Sequence, residues 1–162
     1  MILHINITFG LFLKNMVIIH GEQETGKSTL AINILKNKKN SLYLMLENDL
    51  SLIKKFKNNN NIDFKYVKHC HLIDLKYQIL EYGGLMNNTL DYVVIDSINF
   101  IKDNISYKEK INYIKQLELD FKIKILLVFN TLNKGDKLKR FVNSIECDKI
   151  IDIMFIKKNL LR

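Results

Sequence analysis

Short, nearly unbroken apolar runs recur along the chain and alternate with stretches of helical period. The runs MVIIH (Met16 to His20), SLYLML (Ser41 to Leu46), DYVVID (Asp91 to Asp96), IKILLVF (Ile123 to Phe129) and KIIDIMFI (Lys149 to Ile156) read as strands, with FKYVKHC (Phe64 to Cys70) a weaker sixth. Runs of this kind suit parallel strands covered on both faces. Between them, helices are predicted over Lys27 to Lys36, Leu50 to Lys57, Leu75 to Tyr82, Tyr107 to Leu119 and Asp136 to Ser144. In the fourth of these, Ile111, Ile114 and Leu117 fall on one stripe while Lys108, Lys110 and Lys115 stay wet. Gly83 and Gly84 are placed to end the third. Strand–helix–strand alternation predicts an α/β fold, an open and mostly parallel sheet with helices on both faces and right-handed crossovers.

Composition adds limits. The 162 residues favour one domain over 1–162, with neither a repeat nor a linker. Asn58 to Asn61 form the one low-complexity patch and read as a solvated loop tip. A net charge of +8 favours polyanionic partners, although a composition rich in lysine, asparagine and isoleucine also follows from genome bias. Two cysteines, Cys70 and Cys147, make neither a disulfide framework nor a four-thiolate metal site and suit a reducing compartment. The opening MILHINITFGLFLKN lacks a basic leader and a small-residue cleavage site, and no apolar run is long enough to span a bilayer. The expected place is the cytoplasm, that of a virus-infected cell included, with no membrane partner.

Chemistry enters at residues 21–28, GEQETGKS, which fit G-x-x-x-x-G-K-[ST] between a strand and a helix. Gly21 and Gly26 let the backbone curl so that its N–H groups face one cavity, at the positive end of the helix dipole. Gly21, Glu22, Gln23, Glu24, Thr25, Gly26, Lys27, Ser28 and Thr29 are the expected nucleotide-binding residues. Lys27 reaches β- and γ-phosphate oxygens, and the Ser28 hydroxyl binds Mg²⁺. Asp96, carried to the carboxyl end of a buried strand by YVVID, is the second expected magnesium residue. Glu47 leaves the second strand where ligands sit in such sheets; it is either the base that orients an attacking water or a helix-entry residue, with Asp49 the better capping group. Asn130 ends ILLVF, where its amide either senses the γ-phosphate or starts a turn.

Two further patterns compete. NKGD at 133–136 has the form of a guanine-reading motif, but it comes a turn after the strand end, and the D-x-x-G that a GTPase needs is here Asp96, Ser97, Ile98, Asn99. With arginine only at positions 140 and 162, an arginine-rich kinase lid is lacking. In HCH, His69 and His71 would share a strand face and could bridge a metal, yet no further ligand cluster supports zinc.

Together, HGEQETGKSTLA, SLYLMLEND, LDYVVIDSINF and KILLVFNTLNKGDKLKRF, followed by CDKIIDIMFIKK, resemble the RecA/RadA recombinase and DnaB-type helicase superfamily of P-loop ATPases, from about Lys14 to Lys158. The short chain looks like a core-only member, of the phage recombinase or archaeal RadA-paralogue kind. The resemblance implies an ATPase using ATP and Mg²⁺, with Lys27, Glu47 and Asn130 catalytic. The family's strand-end asparagine–glutamine is here Asn130–Thr131, which puts the coupling role of the glutamine in doubt. It implies single-stranded DNA on the stretches Asn99 to Lys110 and Thr131 to Arg140, the latter carrying Lys134, Lys137, Lys139 and Arg140, with Tyr107 and Phe141 as stacking surfaces. It implies a homo-oligomeric ring or filament in recombination, replication or repair. There Lys158 or Arg162 would serve as the cation given to a neighbour's site, and the alternation Ile5, Ile7, Phe9 would pair with a sheet edge. Two rival readings are an ATP-gated mediator that loads a recombinase partner with little turnover, and a GTPase switch.

Overall fold

The computed structural model describes residues 16–56, 58, 61–85, 89–131, 137–145, 147 and 149–152. In chain order they form β1 (Val17–Gly21), α1 (Lys27–Leu35), β2 (Ser41–Met45), α2 (Leu50–Phe56), β3 (Ile62–Tyr66), α3 (Leu72–Leu85), β4 (Tyr92–Asp96), a 3₁₀ turn (Ile98–Phe100), α4 (Tyr107–Phe121), β5 (Lys124–Asn130), α5 (Lys137–Asn143) and β6 (Lys149–Asp152). The strands lie in the order β3-β2-β4-β5-β1-β6, and every pairing is parallel.

Parallel strands need covered crossovers, and the core shows how each face is covered. Leu75 and Ile79 of α3, Ile111 and Ile114 of α4 and Val142 of α5 pack on one face. Ala31, Ile32 and Leu35 of α1 with Leu52 of α2 pack on the other. Side chains alternate along each central strand, so Leu42 and Leu44 point to the first cluster while Tyr43 and Met45 point to the second. That double burial is why β1, β2 and β5 read as unbroken apolar runs.

Local signals mark the ends of α4. The Ser106 hydroxyl accepts from the Glu109 N–H at 3.2 Å, while the Glu109 carboxylate accepts from the Ser106 N–H at 2.9 Å, a reciprocal capping box. Lys122, at φ 53°, closes the helix in the left-handed conformation.

Two expectations are corrected. Gly83 and Gly84 do not end α3, which runs through both to Leu85. Glycine permits the left-handed turn without imposing it, and Gly83 stays helical. The weak strand lies earlier than Phe64 to Cys70: β3 spans Ile62–Tyr66, and the chain turns at His69 with φ 54°. His69 and His71 therefore flank a turn instead of sharing a strand face. His71 Nδ1 lies 3.5 Å from Asp103, and among the described residues no group of three or more His, Cys, Asp and Glu side chains is placed to hold a metal ion. NKGD at 133–136, Lys134, Lys158, Arg162 and the alternation Ile5, Ile7, Phe9 lie outside the described residues, as does the predicted last strand beyond Asp152. Among the described residues no helix is long and apolar enough to cross a membrane.

Candidate functional site

Register brings four strand ends together at the carboxyl edge of the sheet. Met45 pairs with Asp96, Asp96 with Val128, and Gly21 with Asn130. Past the paired residues, the Leu46 N–H donates to the Asp96 carbonyl at 2.7 Å, and the Thr131 N–H donates to the Gly21 carbonyl at 2.9 Å. The exit of β2 is thereby tied to β4, and the exit of β5 to the start of the phosphate loop. Between them opens a cavity of about 390 Å³. Gln23, Glu24, Gly26, Lys27, Ser28 and Thr29 line it on one side, with Glu47, Asp96 and Asn130 on the other.

The loop is braced from within. The Thr25 hydroxyl donates to the Glu22 carbonyl at 2.7 Å, and Lys27 Nζ donates to the same oxygen. Gly21, Glu22 and Thr25 thus frame the loop without lining the cavity. Gly26 sits at φ 92°, ψ 18° as the residue before α1, a conformation that a Cβ would strain. The first N–H groups of α1 have no carbonyl partners within the helix, so the loop offers donors beside the buried Lys27.

Asp96 is the most constrained group in the site. Ser28 Oγ and the Tyr43 hydroxyl both donate to its Oδ2, each at 2.5 Å. Burial pushes its pKa up, while the two hydroxyls and the charge of Lys27 pull the other way. Tyr43, wholly buried in the middle of β2, has its own pKa driven well up by burial and by the neighbouring Asp96 charge. Ser28 and Asp96 form an all-oxygen donor pair at the foot of the phosphate loop, which fits a hard divalent cation of the Mg²⁺ kind.

Glu47 is exposed at the rim of the cavity. Asp49 is the cap of α2: its Oδ1 accepts from the Ser51 hydroxyl at 2.5 Å and from the N–H groups of Ser51 and Leu52 at 3.1 and 3.2 Å. Those bonds, the Ser51 hydroxyl first, hold its pKa below the ordinary carboxylate value. With Asp49 engaged in capping, Glu47 remains the carboxylate open to the cavity at the end of β2.

Three features of the site escape the sequence. Tyr43 clamps Asp96 from the core, where an apolar strand hides its role. Asn99 clasps the end of β5: its Oδ1 accepts from the Asn130 N–H at 2.8 Å and its Nδ2 donates to the Asn130 carbonyl at 3.1 Å. With its backbone so held, Asn130 lines the cavity at the tip of β5. Lys55 of α2 brings a second cation to the cavity wall. Behind the site, Thr131 is buried, and its hydroxyl shares a 3.2 Å hydrogen bond with His20 Nδ1.

The expected DNA residues lie elsewhere. Lys137 and Arg140 are exposed and three apart on α5, hence on one face, while the half-buried Lys139 lies toward another. Of the two expected stacking surfaces, Tyr107 packs on Phe129 with ring centroids 5.9 Å apart, and Phe141 is half-buried against the core.

Among solved structures, the chain is similar to the ATPase domain of a DnaB-like helicase, with a TM-score of 0.56 and 15% identity over 74% of this chain. The match spans 58% of that structure, less than two thirds of its length. The likeness is one of fold: a six-stranded, all-parallel α/β sheet similar to a RecA-like ATPase domain. No protein-family model matches the chain, and no curated protein does.

Proposed function

We propose that the protein is a RecA-type ATPase that binds ATP with Mg²⁺ at the carboxyl edge of its sheet, hydrolyses it, and assembles on single-stranded DNA as a ring or filament in recombination, replication or repair. One observation carries the reading: Lys27, Ser28, Glu47, Asp96 and Asn130, scattered over the chain, line a single cavity. Each has chemistry to contribute there. Lys27 exchanges the Glu22 carbonyl for phosphate oxygens and offsets their charge. The Ser28 hydroxyl and Asp96 hold the cation, which when bound neutralises charge on the β- and γ-phosphate oxygens. Glu47 accepts a hydrogen bond from the attacking water, orients it and takes its proton. The Asn130 amide donates to the γ-phosphate or to that water, and the Asn99 clasp keeps it at the tip of β5.

The test is phosphate release from ATP and from GTP, with and without single-stranded DNA. ATP turnover stimulated by DNA is expected. Lys27→Ala should lower it by roughly 10²–10³-fold. Glu47→Gln should keep ATP affinity within about twofold and lose about 10²–10⁴-fold in turnover. Loss of ATP affinity in Glu47→Gln would make the glutamate a structural residue and overturn its role as base. A preference for GTP would move the reading to a switch that uses NKGD.

A second reading, an ATP-gated mediator of a recombinase with little turnover, is favoured by Thr131. The residue after the sensor is buried and held by His20, a poor position from which to report to bound DNA. Slow turnover that ignores DNA would select it.

A further inference from the structure

Helices α4 and α5 leave a groove between them. Two hollows of about 430 and 650 Å³ lie along it and share Lys108 and Phe141 in their walls. The α4 wall is one helical face, since Lys108, Ile111, Asn112 and Lys115 recur at spacings of three and four. The opposite wall repeats the pattern with Leu138 and Phe141 of α5 and Ile145 just beyond it. The floor is apolar: Ile111 is buried and Leu138, Phe141 and Ile145 are partly buried against the same core. The rim is cationic, with exposed Lys108 and Lys137 facing each other across the larger hollow. Among the described residues no carboxylate lines either hollow. One turn beyond Lys115 on the same stripe, Leu119 is 69% exposed, the most open of the large hydrophobic side chains described.

We infer that this groove docks an acidic amphipathic segment of a protein partner, its apolar side chains on the floor and its carboxylates against the lysines. The charge complementarity is direct: basic rim, apolar floor, no acid in the described walls. A helix with apolar residues at three- and four-residue spacing matches the strip from Phe141 to Leu119 in kind. Nucleic acid fits less well, because bases need open aromatic faces. The Tyr107 ring is taken up by Phe129 on one hand and by the Lys110 ammonium 5.4 Å from its centroid on the other. A second copy of the chain is opposed by repulsion between two molecules of net charge +8. The occupant would lie close to the nucleotide site, since Asn99 Nδ2, which holds the Asn130 carbonyl, also donates to the Tyr107 hydroxyl at 3.4 Å. The inference stands whether or not the cavity hydrolyses ATP.

The experiment is fluorescence anisotropy with a labelled helical peptide of about 18 residues, its Leu and Phe at helical spacing and its other positions Glu, Asp and Ala. A peptide of the same composition with the stripe scrambled, and a 15-mer of deoxythymidine, are the comparisons. The patterned peptide should bind at least about tenfold more tightly than the scrambled one. Lys108→Glu/Asn112→Glu, two exposed positions on the groove wall, should weaken it at least about tenfold at an unchanged melting temperature, and the DNA should not displace it. If the double variant melts early, Lys108→Glu alone replaces it. No binding up to about 1 mM, equal binding of both peptides, indifference to the substitution, or displacement by the DNA each overturns the inference.

Discussion

A carboxylate as deeply set as Asp96 is costly to ionise, and two hydroxyls meeting on one of its oxygens only partly offset the loss of water. The sign of the consequence follows from linkage. A carboxyl whose pKa is raised on folding holds its proton more tightly in the folded than in the unfolded chain. Its effect on stability is therefore most favourable in acid. The effect falls as pH rises from the ordinary carboxylate range through the raised folded value, and is level above that. Asp96→Asn keeps an oxygen for Ser28 and Tyr43 and removes the charge. The variant should melt above the parent at pH 7, with the gap closing as pH is lowered toward 4 in calorimetry without nucleotide. A gap that stays constant across that range would show that burial of charge is not what Asp96 costs the fold. The same substitution should abolish Mg²⁺-dependent nucleotide binding, the familiar opposition between stability and a charged site.

At the scale of elements, α3 offers the cleanest backbone test. Gly83 sits inside the helix without a positive φ, and a Cβ built there meets nothing within 4 Å. Gly83→Ala should stabilise the protein by about 0.4–1 kcal/mol, mainly by narrowing the unfolded ensemble, read as a shift of roughly 1–4 °C in melting temperature. A fall instead would mean that the helix does not continue through Gly83. The position also shows what a sequence conceals. A glycine pair after a helical pattern carries the same composition whether it caps the helix or extends it. The choice is made by the following turn, which has no periodic signal of its own. The edge strand β3 is hard to frame for a related reason: its burial is mixed along its length, so it lacks the continuous apolar run that makes β1, β2, β4 and β5 legible. In the site, the phosphate loop, Glu47, Asp96 and Asn130 can be read because each stands at the end of such a run. Tyr43 cannot, since a tyrosine in mid-strand looks like any core residue. Asn99 cannot, since its clasp on β5 spans 31 positions and depends on strand order.

Across the whole molecule, the charge of +8 asks where it is concentrated and what it meets. If single-stranded DNA runs along Lys134, Lys137, Lys139 and Arg140, four neutralised phosphates give a slope of log affinity against log salt near about −2.8. Affinity would then fall by roughly 50-fold between 50 and 200 mM salt. The placement of the side chains refines this. Lys137 and Arg140 share a face of α5 and can follow one strand, so Lys137→Ala/Arg140→Ala should flatten the slope by about 1.4. Lys108→Glu/Asn112→Glu, on the groove between α4 and α5, should impair peptide capture more than DNA affinity, which separates two uses of the same basic side of the molecule. A titration of labelled deoxythymidine 15-mer across that salt range, with and without a non-hydrolysable ATP analogue, checks both. Steep dependence that sharpens with nucleotide supports assembly on DNA driven by the cavity at the sheet edge. A flat response would remove DNA from the α5 cations, leave the acidic peptide as the partner that the positive charge serves, and turn the ATPase reading toward a mediator.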